Sequence, residues 1–265
     1  YRPNSELSRF NSSKATQDFA VSAATVKVVN EAIRLSKITA GALDVTVGPL
    51  VNLWGFGPDK RPEIIPTAAE LSQIKQRIGI EHLTTSTVGL SKDIDNLYVD
   101  LSTIAKGYGV DVIADYFEEL GVDNYLAEVG GELRAKGINK NGISWQVAVE
   151  KPTSNEQAIQ QVIAVGDNAI ATSGDYRNYY RLDGQRFTHI IDPKTGLPIN
   201  HNLVSVTVVY PSSMTADGLS TAIMVMGEKA GLAFAREQKL PVYMISKSDS
   251  GYNVVYTPEF ESFLK

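Results

Sequence analysis

The chain contains no cysteine. That excludes disulfides, thiolate metal sites and a cysteine nucleophile together. Histidine is nearly as scarce, with His82, His189 and His201 the only three among 265 residues. A multi-histidine transition-metal site is therefore not expected, and any metal should be a hard cation on oxygen ligands. No apolar run approaches the roughly 20 residues that a membrane-spanning helix requires. There is no run of lysine or arginine, and the net charge is −5. Nucleic acid and anionic membrane surfaces are thus not expected as main partners, and an anionic ligand would need local positive charge. Also missing are a Gly-x-Gly-x-x-Gly fingerprint, a Walker A motif and a Gly-x-Ser-x-Gly elbow, so the common nucleotide and hydrolase folds are not supported. The chain begins at Tyr1 rather than methionine. An upstream segment is expected to be missing, and with it any signal peptide or lipid anchor.

What is present suits one large globular domain or two closely packed small ones, since 43% of residues are hydrophobic and 21% charged. Tyr1 to Asn11 reads as an ordered loop. Ala23, Val26, Val29, Ala32 and Ile33 recur at helical spacing, which predicts a helix over 22–40 with Gly41 at its end. Thr67-Ala68-Ala69-Glu70 is a capping box, predicting a short helix to Gly79. Short antiparallel strands are expected between His82 and Leu101, then a helix opened by the stretch Asp100 to Gly109 and running to Leu120. Strands follow at 125–129 and 132–136 around Gly130-Gly131, then at 145–150, 162–165 and 169–172. Leu203 to Tyr210 reads as a strand, 214–226 and 230–238 as helices, and 242–245 and 254–257 as strands. Hairpins mixed with isolated helices, without βαβ alternation, give α+β with mostly antiparallel sheet and packed helices.

Four places carry chemistry. In Thr188-His189-Ile190-Ile191-Asp192-Pro193 a strand is expected to stop at Asp192-Pro193, because proline fixes its φ, lacks an N–H and restricts the residue before it. His189 would then sit at a rigid strand end, either as a general base or as a surface histidine. Asp44, between a helix stop and an apolar run, caps or binds. Lys106, in the first turns of a helix whose start presents free N–H groups, either meets a phosphate or lies exposed. Asp217 and Thr221 are four apart on one helix face, so they could meet one cation, or Asp217 could simply favour its helix dipole.

Several segments together resemble the ApbE family of flavin transferases. They are 42–49 (Ala-Leu-Asp-Val-Thr-Val-Gly-Pro), Asp100 to Asp111, Val129-Gly130-Gly131-Glu132, Ala171-Thr172-Ser173-Gly174, Thr188 to Pro193, and Ala216 to Thr221. They span nearly the whole chain in family order. The resemblance implies a single ApbE-like, T-fold-related domain over 1–265 with an FAD cleft between its subregions. It implies an enzyme for which FAD is substrate and Mg2+ cofactor, and which transfers FMN to a threonine or serine hydroxyl of an acceptor protein, releasing AMP. It assigns metal ligation to Asp217, Thr221 and the backbone carbonyl of Thr103, with Ser220 nearby. Tyr1, Ala42, Leu43, Asp44, Asp100, Lys106 and Ile191 fall on FAD-contacting positions, and His189 on the histidine that acts on the acceptor hydroxyl. The implied acceptors are subunits of membrane redox complexes, such as sodium-pumping NADH:quinone reductase. The implied location is the bacterial periplasm, with a lipid anchor outside this chain. If water replaces the hydroxyl the same site would be an FAD pyrophosphatase, and without turnover it would be an FAD-binding protein.

Overall fold

The computed structural model describes residues 2–57, 64–152, 159–176 and 178–264. In chain order its elements are α1 (Glu6–Ser12), β1 (Thr16–Ala20), α2 (Ala23–Ile38), α3 (Gly48–Leu53), α4 (Ala68–Lys75), β2 (Leu83–Thr85), β3 (Gly89–Lys92), α5 (Ala105–Glu119), β4 (Tyr125–Val129), β5 (Glu132–Lys136), β6 (Gln146–Glu150), β7 (Ile159–Ala164), β8 (Ala169–Gly174), β9 (Tyr179–Leu182), β10 (Gln185–Thr188), β11 (Leu203–Tyr210), α6 (Ser213–Glu237), β12 (Val242–Ser248) and β13 (Gly251–Tyr256). Every strand pair among the described residues is antiparallel. The α+β reading holds. Also among these residues, no helix is long and apolar enough to cross a membrane.

The chain divides into two compact units, one of residues 1–102 and 178–200, the other of 103–177 and 201–265. In the first, β1, β3 and β2 form a small sheet, and β9 pairs with β10 as a hairpin. The segment expected to be a loop at the start is instead helix α1. Ser5 caps it by accepting from the Ser8 N–H at 3.2 Å. Its carbonyl end is met by the buried Lys92, whose ammonium donates to the carbonyls of Phe10 and Asn11 at 2.8 and 3.1 Å. That second partner lies 82 residues from Phe10 in sequence, so no local pattern discloses it. The capping box at Thr67 and Glu70 forms as expected, though α4 stops at Lys75. Helix α2 ends in the positive-φ residues Ala40 and Gly41, and the Gly41 N–H returns to the Ser36 carbonyl at 2.8 Å. A core of Leu50, Trp54, Ile78, Tyr180, Phe187 and Ile191 holds this unit together.

The second unit is built on a six-stranded sheet in the order β13-β12-β11-β8-β5-β4. β11 is buried along nearly its whole length, as expected for the central strand that α6 covers. The β4–β5 turn uses Gly130 and Gly131 at φ 64° and 100°, as their sequence suggests. The two helices expected at 214–226 and 230–238 are one element broken at Gly227, whose φ is 77°. His201 packs against that break and donates from Nε2 to the Met224 carbonyl at 2.9 Å, replacing the helical bond lost there.

α5 and α6 meet closely, and each caps the other. Asp111 of α5 accepts from the Ser212 hydroxyl and from the N–H groups of Ser213 and Met214 at 2.7, 2.9 and 3.0 Å. Asp217 of α6 accepts from the Gly107 N–H at 3.0 Å. Orphan donors at both helix starts are thus satisfied by a carboxylate of the neighbour. Approach this close requires glycine, because a Cβ at Gly107 would lie 2.2 Å from the Ser213 carbonyl oxygen. Gly107→Ala should therefore cost about 1–3 kcal/mol of stability through overpacking, read from urea unfolding. Gly109→Ala, with nothing within 4 Å of its added methyl, should be neutral or stabilise by about 0.5–1 kcal/mol as helix propensity directs. Equal losses for the two variants would remove the steric explanation.

Candidate functional site

The second unit assembles most of the polar groups singled out by sequence. Asp217 is 2% exposed and Glu132 4%, yet both face the ammonium of Lys106. Lys106 Nζ lies 3.0 and 3.2 Å from the two Asp217 carboxylate oxygens and 3.0 Å from Glu132 Oε1. Glu132 Oε2 is buried and has no hydrogen-bond partner. Burial pushes the Asp217 carboxyl up to about 7, outweighing the attraction of Lys106 and aided by the repulsion of Glu132. Glu132 is raised for the same reason. Burial alone would lower the Lys106 ammonium, but Asp217 and then Glu132 hold it above the ordinary lysine range. Two buried carboxyls thus share one cation in a poorly solvated place.

Asp217 does not serve the dipole of its own helix. α6 starts at Ser213, so Asp217 lies beyond its first turn, and its N–H partner belongs to α5. The start of α5 has no side-chain cap from its own sequence. Its exposed donors, expected from sequence to be open to phosphate, include one already taken by this carboxylate.

Beside Asp217 the hydroxyls form an ordered relay. Ser220 Oγ donates to the Asp217 carbonyl at 2.9 Å, since a carbonyl can only accept. Its single proton is then used, so Ser173 Oγ donates to Ser220 at 2.7 Å, and Thr221 Oγ1 donates to Ser173 at 3.1 Å. The Thr221 proton is thereby turned toward β8, and its lone pairs are left for an external partner. Ser220 is fully buried in this relay. Thr103 has a buried hydroxyl with no hydrogen-bond partner. Among the described residues, no three carboxylate, imidazole or thiolate side chains gather as a preformed metal cage.

In the first unit, His189 follows β10 directly, a little beyond the strand that was expected to reach Ile191. The loop after it is tight. Asp192 N–H donates to the Leu197 carbonyl at 2.9 Å, Gly196 N–H to the Asp192 carbonyl at 2.8 Å, and the Trp54 indole to the Gly196 carbonyl at 2.9 Å. Ile191 pairs with Pro198 as an isolated bridge. His189 Nδ1 lies 3.0 Å from the Asn178 carbonyl. A carbonyl accepts only, so Nδ1 carries the proton and Nε2 the lone pair in the neutral ring. The ring also stands edge-on to Phe56 at 6.3 Å, at the end of a stacked series running through Tyr180 and Phe187 to Trp54. The other two histidines have structural partners, His82 in Asp93 at 2.7 Å and His201 at the α6 break.

The remaining assigned positions also lie in the first unit. Asp44 Oδ1 accepts from the N–H and hydroxyl of Thr46 at 2.7 and 2.6 Å, and burial raises its carboxyl above the usual range. Asp100 donates its N–H to the Val45 carbonyl at 2.7 Å and accepts from the Ser102 N–H at 2.9 Å. Ala42, Leu43 and Ile191 have buried side chains. Tyr1 lies outside the described residues. Glu132 and Phe56 are the positions that residue chemistry alone did not single out. Glu132 had a signal, because it directly follows the Gly130-Gly131 turn; Phe56 had none beyond its aromaticity.

The ApbE family matches residues 1–244. The FAD:protein FMN transferase of Vibrio cholerae serotype O1 is 57% identical over 264 residues, covering 100% of this chain and 79% of that protein. The protein of the same name from Escherichia coli strain K12 is 45% identical over 268 residues, covering 100% and 76%. Among solved structures, the flavin transferase ApbE from Vibrio cholerae superposes with a TM-score of 0.92 at 56% identity, covering 100% of this chain and 84% of that one. The apo form of the Pseudomonas stutzeri flavinyl transferase ApbE does so with a TM-score of 0.91 at 37% identity, covering 100% and 82%. A family match over most of the length, with relatives this similar along the whole chain, places the protein: it belongs to the ApbE family.

Proposed function

We propose that this chain is an FAD:protein FMN transferase that moves the FMN half of FAD onto a threonine or serine hydroxyl of an acceptor protein with the help of Mg2+, releasing AMP. The observation that carries the hydroxyl chemistry is the tautomer of His189. With Nδ1–H held by the Asn178 carbonyl, Nε2 can take the proton of an incoming hydroxyl. The hydroxyl oxygen then bonds to the phosphorus of the FMN half, the pyrophosphate bridge breaks, and its electron pair leaves with AMP. The proton held on Nε2 returns to solvent or to the departing phosphate. His189 directly follows a short strand and precedes a loop braced by Trp54, so the base is aimed by rigid structure.

The donor set in the second unit fits a hard divalent cation. Asp217 supplies a carboxylate and Thr221 a hydroxyl whose lone pairs are turned outward by Ser173; the Thr103 carbonyl is the third ligand in this reading, with Ser220 orienting from behind. When bound, Mg2+ neutralises charge on the phosphate oxygens and fixes their position. With one carboxylate assigned to it, the site needs substrate oxygens to complete an octahedron. Asp44, Asp100, Lys106, Tyr1 and the backbone at Ala42, Leu43 and Ile191 hold FAD in this reading. Acceptors in membrane redox complexes, and a periplasmic location behind a lipid anchor, belong to the same proposal.

Incubation with FAD, Mg2+ and a candidate acceptor should increase the acceptor's mass by one FMN phosphodiester. FAD lost equally fast without acceptor, and with no adduct, would make the protein a pyrophosphatase. His189→Ala should keep its fold and bind FAD about normally while transferring FMN about 10²–10⁴-fold more slowly, the usual worth of a general base. Wild-type transfer by that variant would end the assignment of His189. Asp217→Asn keeps an acceptor for Gly107 and Lys106 while removing the charge, and should raise the Mg2+ concentration needed for half-maximal transfer by at least about tenfold. Thr221→Ala should do less, since water can replace a neutral hydroxyl. An unchanged Mg2+ requirement in Asp217→Asn would remove the metal from this face of α6.

A further inference from the structure

Lys106 and Glu132 form a pair whose function goes beyond holding charge. The Lys106 ammonium sits on both oxygens of Asp217, which is where the cation of the preceding section would have to bind. An ammonium and a divalent ion cannot share that carboxylate at hydrogen-bonding distance without strong repulsion. The same ammonium touches Glu132 Oε1 at 3.0 Å, while Glu132 Oε2 is buried with nothing bound to it. Lys106 therefore has a second, half-used acceptor within reach of the one it must vacate. Its side chain is 42% exposed where those of the carboxylates are 3% and 6% exposed, so it is the member with room to move. The short displacement needed leaves it paired throughout.

We propose that Lys106 is a resident cation that holds the Asp217 carboxylate until a metal ion arrives, and that Glu132 is the positioning residue that receives it. Glu132 acts on the metal site through Lys106 rather than as a ligand. The arrangement keeps the buried carboxylate from standing uncompensated in the ligand-free protein. It also makes metal affinity a competition that is settled in favour of the metal when substrate phosphates add their charge. This rests on the reading of Asp217 as a metal ligand, and the test separates the two.

The measurement is Mn2+ binding to the flavin-free protein, followed by the paramagnetic resonance of free Mn2+, with Mn2+ as the probe for Mg2+. Lys106→Met and Lys106→Gln should both bind Mn2+ at least about tenfold more tightly than wild type, as expected when a state that occupied nine-tenths or more of the population is removed. The glutamine variant keeps a hydrogen-bond donor and guards against loss of fold in the methionine variant, and thermal unfolding reports on both. Glu132→Gln should weaken Mn2+ binding in the wild-type background but have no effect once Lys106 is Met or Gln. Weakening of equal size in both backgrounds would make Glu132 a ligand and overturn its role as receiver. Unchanged or weaker binding in folded Lys106 variants, with Asp217→Asn still abolishing it, would overturn the resident-cation proposal alone. Binding that survives Asp217→Asn unchanged would overturn both that proposal and the metal assignment beneath it.

Discussion

The exchange of carboxylates between α5 and α6 is the constraint on which the second unit's site depends. A helix start leaves N–H groups without intrahelical partners, and here neither helix supplies all of its own caps. Asp111 closes α6, and Asp217 helps to close α5. The exchange works only at the separation that Gly107 permits, with its α-carbon against the Ser213 carbonyl. Asp217 is therefore placed by packing before any ligand is considered. Thr221, one turn further along the same helix, inherits that placement, and Ser173 on the adjacent strand fixes where its hydroxyl proton points.

A buried carboxylate in this position is costly unless something positive stays near it. The protein answers with a lysine from the first turn of the same helix that Asp217 caps, so one local structure presents both an N–H and an ammonium to the same group. The second carboxylate, Glu132, is brought to that lysine after the two glycines before it, whose positive φ angles turn β4 into β5. Charge, cap and turn are thus mutually dependent, and a change in any one alters the electrostatics of the others.

Much of the fold was legible because its signals are local. The capping box at Thr67, the Gly130-Gly131 turn and the valine-rich β11 all depend on neighbours a few residues away. α1 was not legible, because Lys92 completes it from far along the chain, whereas the β9–β10 hairpin has a local signal in Asp183-Gly184, both at positive φ, which the sequence reading passed over. His189 could be chosen as the one histidine followed by a rigid turn, but the carbonyl that sets its tautomer could not. Asp217 and Thr221 were readable as a pair on one face. What their face looks toward was not, because Lys106 and Glu132 reach it through tertiary packing. Family resemblance supplied the chemistry that these scattered residues imply only together.

Each compact unit is assembled from two separated stretches of chain, 1–102 with 178–200 and 103–177 with 201–265. Neither can be completed as its first stretch leaves the ribosome. The first unit waits for the β9–β10 hairpin, whose Tyr180 and Phe187 enter its core. The second waits for β11, the strand that joins β8 to β12. Without that hairpin and β11, the edge of β8 and the apolar residues Leu50 and Trp54 lack their native partners. Unpaired strand edges and bare apolar surface are the features that invite wrong association, so this topology carries both until residues 179–188 and 203–210 take their places.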